Sequence, residues 1–222
     1  MTLSKPIALP PSYILPPAIW CGVGLAIAAL LAGVAWAGNP FLVIPAAICF
    51  GLVLLLSWLL LAGYGFMRGW KLRQRPSQAI VAAGAPWVAI ALVVLLALPV
   101  AHVTLAGLIR VTLLTKRSSY EAIIVKAKTG AFQPGDSRQS YDGTDFILDE
   151  GPPMRLAFPL PGGVLDNWSG IVFDPTGDVT LARGFAKGGD GFTAPPAVHA
   201  LFGGDIVTCD HLSGDFYYCT FT

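Results

Sequence analysis

The chain has 222 residues, 55% hydrophobic and only 12% charged, with a net charge of +1; soluble domains carry roughly 25% charged residues. Residues 1–120 hold eight basic side chains and no acid, whereas residues 121–222 hold all thirteen acids and six bases. That split excludes a single water-soluble globule, and the net −7 of the second half argues against nucleic acid as a partner.

A half without a carboxylate suits lipid, because an intramembrane charge costs about 3 kcal/mol on insertion scales. The second half has ordinary polar turns, and about 100 residues suffice for one modest core. The expected plan is a three-helix transmembrane anchor followed by a small β-rich domain, all-β or α+β, outside the cytosol.

Residues 1–17 carry Pro6, Pro10, Pro11, Pro16 and Pro17 with one charge at Lys5. Proline removes backbone donors, so this segment reads as an extended cytoplasmic lead-in. The first apolar run, Ala18–Ala37, spans about 30 Å as a helix, the thickness of the hydrocarbon core. Trp20 and Trp36 near its ends suit the headgroup level. Its small residues Gly22, Ala26, Ala29 and Gly33 permit close helix approach. Ala35-Trp36-Ala37 also resembles a signal-peptidase site, so residues 1–37 have cleavage as a rival reading. A single Lys ahead of a long apolar run favours a retained helix, and the downstream topology is the same in both cases. Gly38-Asn39-Pro40 reads as a turn. Phe41–Phe66 is the second span, with Pro45 in its first turn. Cys21 and Cys49 read as small apolar groups within the spans.

Topology pivots on residues 67–78, where Arg68, Lys71, Arg73 and Arg75 stand without an acid between two apolar runs. Lys and Arg near helix ends resist translocation, which makes this the cytoplasmic loop. The third run, Ala79–Ile109, contains Pro86, Pro99 and His102 and would be about 46 Å long, more than one bilayer crossing. It is expected to protrude on the outer side, kinked near Pro99, with His102 near the outer interface. The membrane region is thus 18–109, followed by a linker at 110–119 and the outer domain at 120–222. Arg110, Lys116, Arg117, Lys126 and Lys128 weigh against this orientation, but long domains translocate largely regardless of charge.

In the domain, Tyr120–Lys128 reads as a strand and Thr129–Thr144 as a loop. Asp145–Leu148, Arg155–Phe158, Trp168–Phe173 and Asp178–Ala182 read as short strands between Gly/Pro turns. Arg183–Pro196 reads as a Gly-rich loop and Ala197–Phe202 as one helical turn. The clearest unit is a hairpin in which Ile206–Cys209 and Phe216–Cys219 flank Ser213-Gly214-Asp215. A three-residue turn there pairs Leu212 with Phe216 and sets Cys209 opposite Cys219, within reach of a disulfide. Disulfides persist outside the cytosol, in agreement with the basic-loop topology.

No catalytic, cofactor or metal set emerges. Asp210 and His211 are strand neighbours whose tips point to opposite faces. Ser169 lacks the context of a nucleophile elbow, and no His pair has zinc-ligand spacing. The acidic positions Asp142, Asp145, Asp149 and Glu150, and Asp174 with Asp178, do not fit a calcium loop and read as turn residues and solvated surface. His102 has no carboxylate partner in the spans, which argues against a proton-coupled transporter. The expected function is a membrane-tethered interaction or assembly module, its lipid contacts made by the helices and its protein or envelope partner met through residues 120–222. The alternative is a hydrolase-like envelope enzyme using His199, Asp210 or His211. The expected location is a bacterial inner membrane with the domain in the periplasm.

Overall fold

The computed structural model describes residues 15–36, 40–149, 151–161, 167–186 and 191–222. Most of the proline-rich lead-in, the Ala37-Gly38-Asn39 step and Glu150 lie outside them. Three helices, α1 (Leu15–Trp36), α2 (Pro40–Lys71) and α3 (Pro76–Lys128), are long and apolar enough to cross a membrane, which marks the chain as a membrane protein. The strands are β1 (Gly135–Tyr141), β2 (Thr144–Asp149), β3 (Arg155–Pro159), β4 (Trp168–Phe173), β5 (Ala200–Leu201), β6 (Gly204–Ser213) and β7 (Phe216–Phe221). A 3₁₀ turn at Asp178–Leu181 and a four-residue helix α4 (Pro196–His199) lie between β4 and β5. The chain divides into two compact units, the first running to Leu105 apart from residues 36–40.

Small residues and indole hydrogen bonds organise the helical unit. Trp20, Trp58 and Ala89, one from each helix, form its buried centre. The Trp20 indole donates to Ser57 Oγ at 2.8 Å, and Ser57 returns its hydroxyl to the Leu54 carbonyl. The Trp58 indole donates to the Pro86 carbonyl at 3.0 Å. Pro86 has no N–H, so the Ala82 carbonyl one turn earlier lacks its usual helical donor. Gly65 of α2 packs there: a Cβ built on it would stand 2.6 Å from that carbonyl oxygen. One turn on, Gly69 lies against Ala79 and Ala83, and Gly24 of α1 accommodates Val93.

Apart from the start of α1, which lies at Leu15 inside the expected lead-in, two boundaries differ from the sequence reading. The loop expected at 67–78 narrows to Leu72–Arg75, because α2 continues to Lys71. Arg68 and Lys71 thereby occupy its last turn, where cations offset the helix dipole. The second difference is larger: α3 has 53 residues. It runs through Pro86 and Pro99 and continues across the expected linker 110–119 and the expected strand Tyr120–Lys128. Tyr120, Ile123, Ile124 and Ala127 are buried at the i, i+3, i+4, i+7 spacing of a helix face. The β-branched run at 123–125 suggested a strand, and packing overrode that propensity.

The second unit is one antiparallel half-barrel sheet in the order β1-β2-β3-β4-β7-β6-β5. One face packs on α3, joining Leu113, Tyr120, Ile123, Ile124 and Ala127 to Phe146, Leu148, Leu156, Phe158, Ile171, Phe173 and Phe216. The other face, with Ala157, Val172, Cys219 and Phe221, is covered by Val179, Ala182, Val198 and Phe202 from the β4–β6 connection. Strand β1 falls in the expected loop 129–144, and Asp178–Leu181 is a 3₁₀ turn, not a strand. Asp178 opens that turn directly after Gly177, whose φ of 77° suits glycine.

The terminal hairpin forms with Cys209 opposite Cys219, and the two are joined by a disulfide. Its turn is tighter than expected: Ser213 pairs with Phe216, and the register shifts between His211 and Ser213, so Leu212 is not the partner of Phe216. A loop this short adds about 2–3 kcal/mol to domain stability when closed by a disulfide.

The Gly65 contact yields a controlled prediction. Gly65→Ala should destabilise the helical unit by about 1–3 kcal/mol through overpacking. Gly63→Ala, whose Cβ meets nothing within 4 Å, should be neutral or slightly stabilising. Thermal unfolding of both variants in lipid nanodiscs makes the comparison.

Candidate functional site

The residues singled out as possible chemistry are dispersed. His211 Nε2 lies 2.9 Å from the Gly214 carbonyl, and its ring meets the edge of Tyr217, so it braces the hairpin turn. Asp210 pairs across the strands with Tyr218 and makes no ion pair with His211 among the described residues. His199 instead faces Asp205, Nδ1 to Oδ1 at 3.3 Å, with both side chains partly exposed. His102 is exposed on α3. Among the described residues, no three His, Cys, Asp or Glu side chains converge as a metal site.

The most highly built polar group is Arg155–Asp174; the sequence reads Asp174 as solvated surface and Arg155 as the start of a strand. Their side chains are 4% and 0% exposed, and Nε lies 3.2 Å from Oδ1. Burial alone would raise the Asp174 pKa. The Val179 N–H, the Thr176 hydroxyl and N–H, and the Arg155 charge outweigh it and hold the carboxyl below its ordinary value. The carboxylate thereby ties the 3₁₀ turn to the sheet. Arg155 also reaches Thr176 Oγ1 and Asp178 Oδ2, each at 3.5 Å. Every partner is internal, so this network is structural.

A surface groove is the better candidate. It encloses about 330 Å³ and is lined by Asn167, Trp168, Ser169, Phe185, Val207, Thr220, Phe221 and Thr222. Pairing of β4 with β7 sets Trp168 opposite Phe221, and their rings stack at 3.8 Å and 5°. Phe185 is 64% exposed and leans on Phe192, which in turn meets the His199 ring. The indole donors of Trp20 and Trp58 are both satisfied in the helical unit; that of Trp168 has no hydrogen-bond partner among the described residues. Thr220 shares a 2.9 Å hydroxyl contact with Thr208. Asp205, the partner of His199, exchanges backbone hydrogen bonds with Thr222 at the groove's end. No nucleophile stands beside the His199–Asp205 pair among the hydrogen bonds of the described residues. Two larger apolar grooves, of about 450 and 460 Å³, flank α1 within the helical unit.

The sequence places Trp168 and Ser169 in a strand, with Ser169 set aside as a nucleophile, and Phe185 in a Gly-rich loop. The available signal was an aromatic residue inside a loop otherwise composed for turns. Comparison with protein-family models, with curated proteins and with solved structures finds no match to this chain.

The Arg155–Asp174 pair generates a pH prediction. Because the folded carboxyl has the lower pKa, its stabilisation is fully present above the unfolded value of about 4 and is lost as pH falls through the folded value. Asp174→Asn leaves the buried Arg155 with only the half-exposed Asp178 as counter-charge and should cost up to about 3–5 kcal/mol near neutral pH. Chemical denaturation between pH 7 and pH 3 should show the wild-type advantage shrinking only below about pH 4.

Proposed function

We propose that the chain is a membrane-anchored interaction module whose sheet domain binds a protein or envelope component outside the cytosol. The three helices hold it in the bilayer, with the N-terminus and the Leu72–Arg75 turn on the cytoplasmic side. Two observations support this orientation. Basic residues Arg68, Lys71, Arg73 and Arg75 collect at the α2–α3 connection, and the domain contains a Cys209–Cys219 disulfide of the kind that persists in oxidising compartments. In a bacterial cell, to which the Ala, Gly and Pro richness points, the location is the inner membrane with a periplasmic domain.

The observation that carries binding is the groove around Trp168 and Phe185. An exposed phenyl ring beside an unpartnered indole N–H combines apolar area with a directional donor, the usual make-up of a recognition site. The module suits an assembly subunit of an envelope complex, or an immunity-type protein that intercepts a toxin. The competing reading, a tethered hydrolase, rests on His199–Asp205 at 3.3 Å. It lacks an assembled nucleophile or metal set among the described residues.

A reporter fused after Thr222 should be active only when it is one that functions outside the cytosol; activity of a cytosol-only reporter overturns the orientation. A photo-crosslinking residue at position 185, in membranes, should capture a discrete partner, whereas one at Val125 on α3 should not. No capture, together with loss of cellular function in His199→Ala at normal expression, would favour the hydrolase.

A further inference from the structure

We infer that the α2–α3 connection is a binding site for an acidic phospholipid headgroup. The inference is independent of what the sheet domain binds and of which side of the membrane the connection faces. It starts from a charge imbalance that the helical unit has no means to correct. Arg68, Lys71, Arg73 and Arg75 follow one another closely, and no Asp or Glu occurs in the chain before Glu121. Lys71, Arg73 and Arg75 are exposed and form no ion pair among the described residues. Arg68 is half-buried, with its guanidinium 4.8 Å from the centre of the Tyr64 ring. Since residues 1–120 hold no acid, neither the helices nor the lead-in supplies a counter-charge.

The fold gathers these bases at one end of the unit. Gly69 lets α2 close on Ala79 and Ala83 of α3. Backbone hydrogen bonds fasten the turn between them, from the Arg75 N–H to the Leu72 carbonyl at 2.7 Å and from the Gln78 N–H to the Arg75 carbonyl at 3.0 Å. Arg73 and Arg75 thus extend from a fixed backbone, beside Lys71 at the last position of α2.

Depth selects a lipid over a soluble anion. Phe66 and Trp70, one turn apart on α2, have rings 6.4 Å apart and are 65% and 66% exposed. Exposed rings at the end of a span settle at the headgroup level. Lys71 lies one residue beyond Trp70, about 1.5 Å of rise, and long basic side chains carry their heads outward past the apolar boundary. The bases therefore reach the phosphate layer itself, where acidic lipids concentrate negative charge and attract Lys and Arg. A zwitterionic lipid offers the same phosphate but brings its own cation, so the uncompensated cluster favours a headgroup of net negative charge.

The test is native mass spectrometry of the full chain in non-ionic detergent, titrated with phosphatidylglycerol or with phosphatidylcholine of the same acyl chains. Phosphatidylglycerol should bind at least five-fold more tightly. Arg73→Gln and Arg75→Gln should each weaken it at least three-fold and leave phosphatidylcholine binding unchanged, whereas Arg75→Lys should stay within two-fold of wild type. Both positions are exposed, so neither glutamine variant should alter the circular dichroism spectrum. Arg183→Gln, which removes an exposed cation from the sheet domain, should bind phosphatidylglycerol as wild type. Equal affinity for the two lipids, or an unchanged preference in both glutamine variants, overturns the proposal. Displacement of phosphatidylglycerol by glycerol phosphate would mark a site for soluble anions and also overturns it. Binding of polyglutamate without any lipid preference would assign the cluster to an acidic protein and has the same consequence.

Discussion

Burial of one face of α3 under the sheet is the interaction on which the whole second unit depends. Tyr120, Ile123 and Ile124 each lose nearly all their exposure there, and full burial of a large apolar side chain contributes about 1.5–3 kcal/mol. Tyr120 stacks on Phe158 at 4.0 Å, so the contact has shape as well as area. Without this helix the inner faces of β2, β3 and β4 would be open to water. With it, the sheet is buried on both sides, since the β4–β6 connection covers the other face with Val179, Val198 and Phe202. The Arg155–Asp174 pair then has a clear place in the domain: it fastens that second cover to β3.

The helical unit solves a different problem. In lipid no water is present to satisfy a stranded donor or acceptor, so each polar group needs a partner from the protein. The indoles of Trp20 and Trp58 find Ser57 and the Pro86 carbonyl. Close approach at Gly65 and Gly69 draws α2 against α3, where dispersion between backbones replaces the hydrophobic effect as the source of cohesion.

Much of this was legible in the residues. The three apolar runs, the basic connection, five of the strands and the opposition of Cys209 to Cys219 follow from length, charge, turn chemistry and hairpin register. What was misread has specific causes. The last turns of α3 looked like a strand because Ile123-Ile124-Val125 favours β structure locally, while the deciding partners, Phe146 to Phe216, lie far along the chain. Strand β1 is polar until Tyr141, so it carries no hydrophobic alternation to read. The groove was invisible for a related reason. Trp168 and Phe221 become neighbours only through the β4–β7 pairing, which no hairpin rule predicts, and Phe185 sits among turn-forming glycines. Asp174 resembled a surface turn residue because nothing local announces that Arg155 will meet it.

The strand order also bears on how the domain is made. Strands β1 to β4 pair with their neighbours in the order of synthesis, but β7 inserts between β4 and β6. Until it emerges, β4 and β6 each show the ribosome-bound chain's surroundings an unpaired backbone edge, the kind that templates mispairing with other chains. The Cys209 thiol must also wait for Cys219 before it can be oxidised to the native bridge. Folding of this domain therefore has a vulnerable interval that closes late and all at once, when β7 fills the gap between β4 and β6 and brings Cys219 to Cys209.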